Sequence, residues 1–290
     1  MYCAELLGCD FSSSPNSRKN IVLAWGRMDE GRVILQRLER LSSLAEFAAM
    51  LAQPKSWVGA FDLPFGLPRE LVESLGWPLE WVACIRHFAS LERSQIRSLF
   101  AAFCHARPVG GKFAHRACDP LAGSSPSMKW VNPPVAYMLH AGVPLLLNAG
   151  VDFPGLHSGD PQRVALEAYP GLLAREVLDG WSAGAQRTGR RSYKSDDKAK
   201  QTPERLKARA DLVQALESGQ GAYGNLRLGM LLQLTPLQRT MLVADASGDA
   251  LDAVLCMLQA AWAVRQHAAG RPRYGLPGYF DPLEGWIITV

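Results

Sequence analysis

The sequence has few of the features that would place a protein in a membrane or an oxidising compartment. Charged residues or prolines interrupt every apolar run well before about 18 residues, so no membrane-spanning helix is expected. The first five residues contain an acid and lack the basic lead and long apolar stretch of a signal peptide. The six cysteines form no Cys-x-x-Cys pair and do not cluster with the six histidines, which disfavours a disulfide framework and a zinc site. We therefore predict a soluble cytoplasmic protein that makes no membrane contact.

Several widespread catalytic motifs are also missing. The chain contains no Gly-x-Ser-x-Gly, no Gly-x-x-x-x-Gly-Lys-Ser/Thr loop and no Gly-x-Gly-x-x-Gly, which weakens the cases for a serine hydrolase, a P-loop enzyme and a dehydrogenase. The net charge of +4 is too small to indicate a nucleic-acid partner by itself. What is present is an ordinary globular composition, and 290 residues are enough to bury a core without disulfides or metals.

Hydrophobic periodicity predicts a mixed α/β fold. Extended runs at residues 4–10, 20–25 and 32–38, joined by short polar connections, predict an antiparallel meander. A helical pattern at 41–51 precedes an apolar strand at 57–63, and a helix between two strands implies a parallel crossover. The first and fourth strands should therefore lie in one sheet.

The rest of the chain predicts additions to that sheet within one domain spanning residues 1–290. Residues 69–160 have helical stretches interrupted by Gly, Pro and Ser, which indicates a largely helical insertion. A fifth strand is expected at 164–169, a basic, mobile segment at about 187–209 and a long helix at 248–266. A short terminal strand is expected at 285–290.

Aspartates end two of the predicted core strands. Asp10 and Asp62 each follow an apolar run and precede residues that break the strand. Their carboxylates should emerge at the carboxyl edge of the sheet, where α/β folds place ligands. An aspartate at a strand end also serves as a turn residue, and this alternative stays open.

A second pair of acids, Asp249 and Asp252, shares one face of the last long helix. An acid in the first helical turn favours the helix dipole, which accounts for Asp249. The helix is apolar on nearly every side from residue 250 to 264, so it should be buried. A buried, ionised Asp252 would need a partner or a metal.

Glu167 is the remaining acidic candidate, because it lies in an otherwise apolar strand. Its alternative role is a buried salt bridge to Arg116 or Arg163. If the acids converge, two carboxylates about 4 Å apart repel by roughly 4 kcal/mol at an effective dielectric of about 20. A hard cation relieves that repulsion, and oxygen ligands without Cys or His favour Mg²⁺ or Mn²⁺ over zinc.

A basic stretch follows the fifth predicted strand and holds nine cations among three acids. The cations are Arg187, Arg190, Arg191, Lys194, Lys198, Lys200, Arg205, Lys207 and Arg209. As a substrate-binding arm, it would place Arg190, Arg191 and Lys194 on phosphates and stack Tyr193 on a base. A solvated loop and helix face is the alternative.

With these features together, the chain resembles the ribonuclease H-like superfamily in its Holliday-junction resolvase branch. It looks more specifically like a predicted-nuclease family catalogued as domain of unknown function four-two-nine. The resemblance spans most of the chain and is carried by Gly8-Cys9-Asp10, Phe61-Asp62-Leu63-Pro64-Phe65-Gly66-Leu67-Pro68, Arg116-Ala117-Cys118-Asp119, Glu167-Ala168-Tyr169-Pro170, Tyr193-Lys194-Ser195 and Asp249-Ala250-Leu251-Asp252-Ala253.

The resemblance implies a five-stranded mixed sheet of order 3-2-1-4-5 and hydrolysis of nucleic-acid phosphodiester bonds by a two-metal mechanism. Carried over, Asp10, Asp62, Asp249 and Asp252 would hold Mg²⁺ or Mn²⁺. Glu167 has no clear counterpart in the resolvase pattern, and we predict it as a catalytic residue adjacent to the metal site. Whether the substrate is DNA, RNA or a branched junction stays open, as does a homodimer.

Two other functions fit the same core. One is an ATP phosphotransferase of the actin-like or sugar-kinase type, in which Asp10-Phe11-Ser12-Ser13-Ser14 would cradle phosphates. The other is a non-catalytic nucleic-acid-binding protein. A pure phosphate binder has no use for clustered carboxylates, which repel its ligand unless a metal is present.

Overall fold

The computed structural model describes residues 5–180, 191–221 and 223–290. Its strands are β1 (Glu5–Asp10), β2 (Ile21–Asp29), β3 (Arg32–Leu41), β4 (Trp57–Asp62), β5 (Val151–Asp152), β6 (Asp160–Glu167), β7 (Gln220–Gly221), β8 (Gly224–Asn225) and β9 (Leu231–Gln233). Seven of them form one mixed sheet in the order β5-β6-β4-β1-β2-β3-β9, and β7 pairs with β8. The fold is therefore α/β, as predicted.

The sheet is larger than the predicted five strands. Strands β1, β2 and β3 form the expected antiparallel meander, and β4 runs parallel to both β1 and β6. The short strands β5 and β9 extend the two edges, and segments of two or three residues are too short to show a hydrophobic period. The predicted terminal strand at 285–290 is wrong: this segment meets β6 only through one bridge, between Glu167 and Ile287.

Helices cover both faces of the sheet. They are α1 (Leu44–Leu51), α2 (Arg69–Ser74), α3 (Trp81–Ser90), α4 (Arg93–His105), α5 (Cys118–Ala122), α6 (Val135–Asn148), α7 (Pro170–Asp179), α8 (Pro203–Ser218), α9 (Pro236–Ala244) and α10 (Asp249–Ala268), with short 3₁₀ turns at Lys198–Lys200 and Pro272–Gly275. The predicted insertion at 69–160 contains α2 to α6 together with β5. In the part of the chain that the structure describes, no helix combines the length and the apolarity that crossing a bilayer requires.

Alternation along the strands assigns each side chain to one of two cores. Leu6 of β1 and Val58 of β4 pack with α10 and α8, whereas Leu7 and Phe61 pack with α1 and the helices of the insertion. Because side chains alternate with a period of two, Asp10 and Asp62 fall on the α10 side. The sheet thus directs both strand-end aspartates toward the same helix.

Gly8 allows α10 to approach β1 closely. A Cβ atom at this position would lie 2.0 Å from the Ala253 carbonyl oxygen and 2.3 Å from the Met257 nitrogen. Only a residue without a side chain leaves room for this packing. The close approach brings Asp252, the neighbour of Ala253, to the carboxyl end of β1.

Candidate metal centre

Three of the predicted metal ligands meet at the carboxyl edge of the sheet. Asp10 and Asp62 are paired directly across the parallel strands β1 and β4, and Asp252 reaches them from the first turn of α10. One carboxylate oxygen from each residue lies within 4.8 Å of the other two. We call Asp10, Asp62 and Asp252 the aspartate cluster, and its donor set suits a hard divalent cation.

The fourth predicted ligand, Asp249, is not brought into the aspartate cluster. It is buried one turn before Asp252, and its Oδ1 accepts a hydrogen bond of 2.7 Å from the Lys19 ammonium. The same ammonium lies 3.2 Å from Asp196. Asp249 is therefore a neighbouring, paired charge that still acts electrostatically on Asp10.

Asp10 and Asp62 accept no hydrogen bond from any of the residues that the structure describes, although Asp10 is only 7% exposed. Burial raises the pKa of Asp10 well above its usual value, and the charges of Asp252 and Asp249 raise it further. Burial also raises the pKa of Asp62 to about 7, against the lowering effect of Lys194. Asp10 is buried and Asp62 partly buried, and an ionised carboxylate without donors is costly in such surroundings, so both residues could serve as ligands of a cation.

Asp252 is the member of the cluster that has protein partners. Its side chain is fully buried, the Tyr193 hydroxyl donates to its Oδ1 and the Lys194 ammonium donates to its Oδ2. Burial raises the pKa of Asp252, and both contacts oppose that rise. Burial alone would lower the pKa of Lys194, but the neighbouring acids, Asp252 foremost, raise it overall. The lysine is thus held as an ammonium ion.

Backbone contacts fix this Tyr193–Lys194 segment across the start of α10. The Arg209 guanidinium donates to the Tyr193 carbonyl at 2.7 Å, and the Ser195 nitrogen donates to the Ala246 carbonyl at 3.0 Å. Gly248 has a φ of 78°, and a Cβ there would lie 2.7 Å from the Lys194 Cβ. The two side chains are therefore held on Asp252 by a constrained backbone.

This placement corrects the predicted role of Tyr193. The residue is 7% exposed and its hydroxyl is bound to Asp252, so its ring is not open to stack on a base. The predicted mobile segment is also partly helical, since residues 203–209 belong to α8. Arg209 is buried in that helix, and Arg187 and Arg190 lie outside the described residues.

The start of α10 is capped by another acid. Asp245 Oδ2 accepts a hydrogen bond of 2.9 Å from the Ala250 nitrogen, and its Oδ1 accepts one of 2.7 Å from the Ser247 hydroxyl. One N–H group of the first turn, that of Ala250, thus has a carboxylate acceptor outside the helix. Capping does not require Asp252, which leaves its carboxylate to the aspartate cluster.

Glu167 belongs to a different buried group. Its oxygens accept hydrogen bonds of 2.7 and 2.8 Å from Arg116 and one of 2.8 Å from the Phe65 nitrogen. Arg116 also pairs with Asp119 at 2.9 Å. We call Arg116, Asp119 and Glu167 the Arg116 cluster. The predicted catalytic role of Glu167 is corrected accordingly: both of its oxygens are occupied by Arg116, and the salt-bridge alternative describes it.

A cleft of about 290 Å³ opens beside the aspartate cluster, lined among others by Asp62, Lys194 and Arg191. Arg191 is exposed and pairs with Asp211, while its backbone nitrogen donates to Asp179 at 3.1 Å. Arg175 also lines the cleft, with its guanidinium 5.2 Å from the centre of the Tyr169 ring. Three basic side chains therefore line the cleft, and each also contacts another group: Arg191 contacts Asp211, Lys194 contacts Asp252 and Arg175 contacts the Ala122 carbonyl.

The sequence prediction missed Lys19. This residue lies in the polar turn before β2, where a lysine looks like ordinary surface. The predicted meander could have indicated Lys19, because the start of β2 and the end of β1 lie at one edge of the sheet when Asp10 pairs with Val22. Lys19 therefore lies close enough to the strand-end aspartates to contact Asp249.

Comparison of the chain with protein-family models, with curated proteins and with solved structures finds no match in any of the three. The function must therefore be inferred from the aspartate cluster, the cleft and the charges around them.

Proposed function

We propose that the protein is a metal-dependent nuclease that hydrolyses phosphodiester bonds in nucleic acid, with Mg²⁺ or Mn²⁺ bound by Asp10, Asp62 and Asp252. One observation carries the proposal: three carboxylates converge within 4.8 Å, and two of them have no hydrogen-bond donor among the described residues. Ionised carboxylates about 5 Å apart repel by roughly 3 kcal/mol per pair at an effective dielectric of about 20. A bound cation is the simplest way to hold them together.

The chemistry of the surrounding groups supports a hard ion over a soft one. The nearest thiols, Cys9 and Cys256, are buried, and burial foremost raises the pKa of each well above its usual value. Protonated thiols are poor metal ligands, which leaves carboxylate oxygens as the donor set. Such a set favours Mg²⁺ or Mn²⁺.

Each part of the site has a role in phosphodiester hydrolysis. The bound ion would polarise a phosphate oxygen and lower the pKa of a water molecule. Lys194 and Arg191 lie on the cleft wall beside Asp62, where they would hold the substrate phosphate and balance the charge that develops on it. Tyr193 and Lys194 orient Asp252 through both of its oxygens.

The ribonuclease H-like part of the proposal takes five consecutive strands of the seven-stranded sheet, β3, β2, β1, β4 and β6, as a core of order 3-2-1-4-5. Strands β9 and β5 would then be additions at its edges. In this arrangement the acids of the first and fourth strands flank the substrate.

The test is a cleavage assay on a panel of labelled single strands, duplexes, RNA–DNA hybrids and four-way junctions, with Mn²⁺, Mg²⁺ or EDTA. We expect the wild-type protein to cut at least one substrate in a metal-dependent way. Asp62→Asn and Asp252→Asn should lose at least about 100-fold in rate, since changes to mere partners of a metal ligand already cost 10- to 100-fold. The control is Asp29→Asn, an exposed acid at the end of β2, which should cut at the parent rate.

Three outcomes would contradict the proposal. The first is no cleavage of any substrate, and the second is an unchanged rate in Asp62→Asn or Asp252→Asn. The third is metal-dependent hydrolysis of ATP without nucleic-acid cleavage, which would favour the phosphotransferase alternative. Binding of nucleic acid without any turnover would favour the non-catalytic one.

A further inference from the structure

We propose that Lys194 is a built-in second cation, so that the aspartate cluster takes one divalent ion where a two-metal nuclease takes two. The inference rests on the proposed function and deepens it. Its starting point is the contact of the Lys194 ammonium with Asp252, a carboxylate of the cluster itself.

The Lys194 ammonium contacts one of the three carboxylates of the aspartate cluster, so the lysine alone does not neutralise the cluster. Asp252 has two partners, whereas Asp10 is more than nine-tenths buried and accepts no hydrogen bond within the described ranges. Asp62, at the mouth of the cleft, likewise has none. The side of the cluster formed by the two strands is thus the side left for a metal ion.

Charge balance sets the number of ions. As ligands of a metal ion, the three carboxylates would be ionised and carry three negative charges, which Lys194 together with one divalent ion balances. A second divalent ion would leave this buried site with two excess positive charges, which is costly where burial is deep. Asp249 does not change the balance, because its charge is already paired with Lys19 at 2.7 Å.

The position of the lysine is built into the fold. Gly248 leaves no room for a Cβ beside Lys194, and the backbone on either side is fixed through Tyr193 and Ser195. The side chain is still 42% exposed and lines the cleft with Asp62. Its ammonium therefore faces both the carboxylates and the space that a substrate phosphate would enter, as the second ion of a two-metal site does.

The experiment counts Mn²⁺ ions bound per chain, by electron paramagnetic resonance of free Mn²⁺ and by calorimetry, without substrate. The wild-type protein should bind one ion. Lys194→Ala should bind two, because the cluster then lacks one positive charge, and Lys194→Arg, which keeps the charge, should bind one. Lys200→Ala is the matched control, since Lys200 lies on the same segment but pairs with Asp197 at 3.3 Å. It should bind one ion with unchanged affinity.

The outcomes separate this inference from the proposed function. Two ions on the wild-type protein would overturn the role of Lys194 and leave the nuclease proposal standing. No bound ion would overturn both. A Lys194→Ala protein that binds one ion with wild-type affinity would show that the lysine does not stand in for a metal. The number of Mn²⁺ ions bound by the wild-type protein tests the inference even if the Lys194→Ala variant fails to fold.

Cleavage kinetics give a second readout. The rate of the wild-type protein should rise with Mn²⁺ concentration with a Hill coefficient of about 1, and that of Lys194→Ala with one approaching 2, since the Hill coefficient is limited by the number of sites. A coefficient of about 2 for the wild-type protein would contradict the single-ion site.

Discussion

Two buried acidic groups lie on neighbouring strands at the same edge of the sheet, and they are neutralised in different ways. In the Arg116 cluster, the guanidinium binds Glu167 through two nitrogens and Asp119 through two, and backbone N–H groups and the Ser124 hydroxyl provide further donors. In the aspartate cluster, only Asp252 has donors among the described residues. The acids of the first group thus have their donors within the fold, whereas Asp10 and Asp62 of the second accept no hydrogen bond from the described residues and could hold a metal ion.

The comparison shows that burial alone does not identify a functional acid. Glu167 is 3% exposed and Asp10 is 7% exposed, so the two residues are equally hidden from water. What differs is the supply of donors, because donors on both oxygens offset the cost of burying a carboxylate, whereas a carboxylate without donors bears that cost in full. The predictions below test this contrast.

The largest effect should come from removing the cation of the complete group. Arg116→Met leaves Glu167 and Asp119 buried without their charge partner, and we expect the free energy of unfolding to fall by about 3–5 kcal/mol. Urea unfolding measures this. Arg27→Met, which breaks an exposed pair with Asp29, should cost less than about 1 kcal/mol. An equal loss of unfolding free energy in Arg116→Met and Arg27→Met would contradict this difference between a buried cluster and an exposed ion pair.

The same chemical change should have opposite signs in the two groups. Glu167→Gln removes a charged acceptor from three hydrogen bonds and should lower the free energy of unfolding by about 2–3 kcal/mol. Asp62→Asn removes a charge whose burial costs more than its attraction to Lys194 returns, and in EDTA at pH 8 it should raise that free energy by about 3–4 kcal/mol. In saturating Mn²⁺ the order should reverse, so that the wild-type protein has a higher free energy of unfolding than Asp62→Asn. Destabilisation by both changes in EDTA would contradict the account.

The advantage of Asp62→Asn should depend on pH. Burial raises the pKa of Asp62 to about 7 in the folded protein, whereas the unfolded chain returns to about 3.9. Between these values the folded state holds a proton that the unfolded chain has released, so wild-type stability falls as pH rises. Relative to Asp62→Asn, the loss should approach 1.4 kcal/mol per pH unit from about pH 4 to 7 and then level off. A difference that stays constant with pH would contradict the raised pKa.

The smallest effect is expected at the hydroxyl that orients Asp252. Tyr193→Phe removes one donor from Asp252 and keeps the buried ring in place, so the Mn²⁺ affinity should fall by about 10-fold. Calorimetry at constant pH measures the affinity, and Tyr137→Phe, whose hydroxyl binds the Arg93 carbonyl away from the cluster, is the control. An unchanged affinity would show that the contact does not position the ligand.

The sequence was sufficient to predict the elements with strong periodicity. The meander, the parallel strand β4 and the long helix α10 follow from hydrophobic patterns that are bounded by turns or prolines. Asp10, Asp62 and Asp252 could be selected because each stands out against an apolar background, at a strand end or within a buried helix. The proximity of Asp10 and Asp62 follows from parallel strands ending at one edge, whereas that of Asp252 depends on the packing of α10 on β1.

Pairing between distant residues could not be predicted. Glu167 and Arg116 are 51 positions apart, and nothing in the local pattern favours Arg116 over Arg163, which instead pairs with Asp160 at 2.8 Å. The contacts of Lys19 with Asp249 and of Lys194 with Asp252 depend in the same way on the tertiary fold. Short edge strands such as β5 and β9 depend on a neighbouring strand and have no pattern of their own.

The most direct test of the central claim is a crystal soaked in Mn²⁺ and measured at a wavelength where manganese scatters anomalously. The account predicts a single anomalous peak at about 2 Å from carboxylate oxygens of Asp10, Asp62 and Asp252, with the Lys194 ammonium still on Asp252. A peak at another group of acids, or none at millimolar Mn²⁺, would contradict the metal centre and the function built on it.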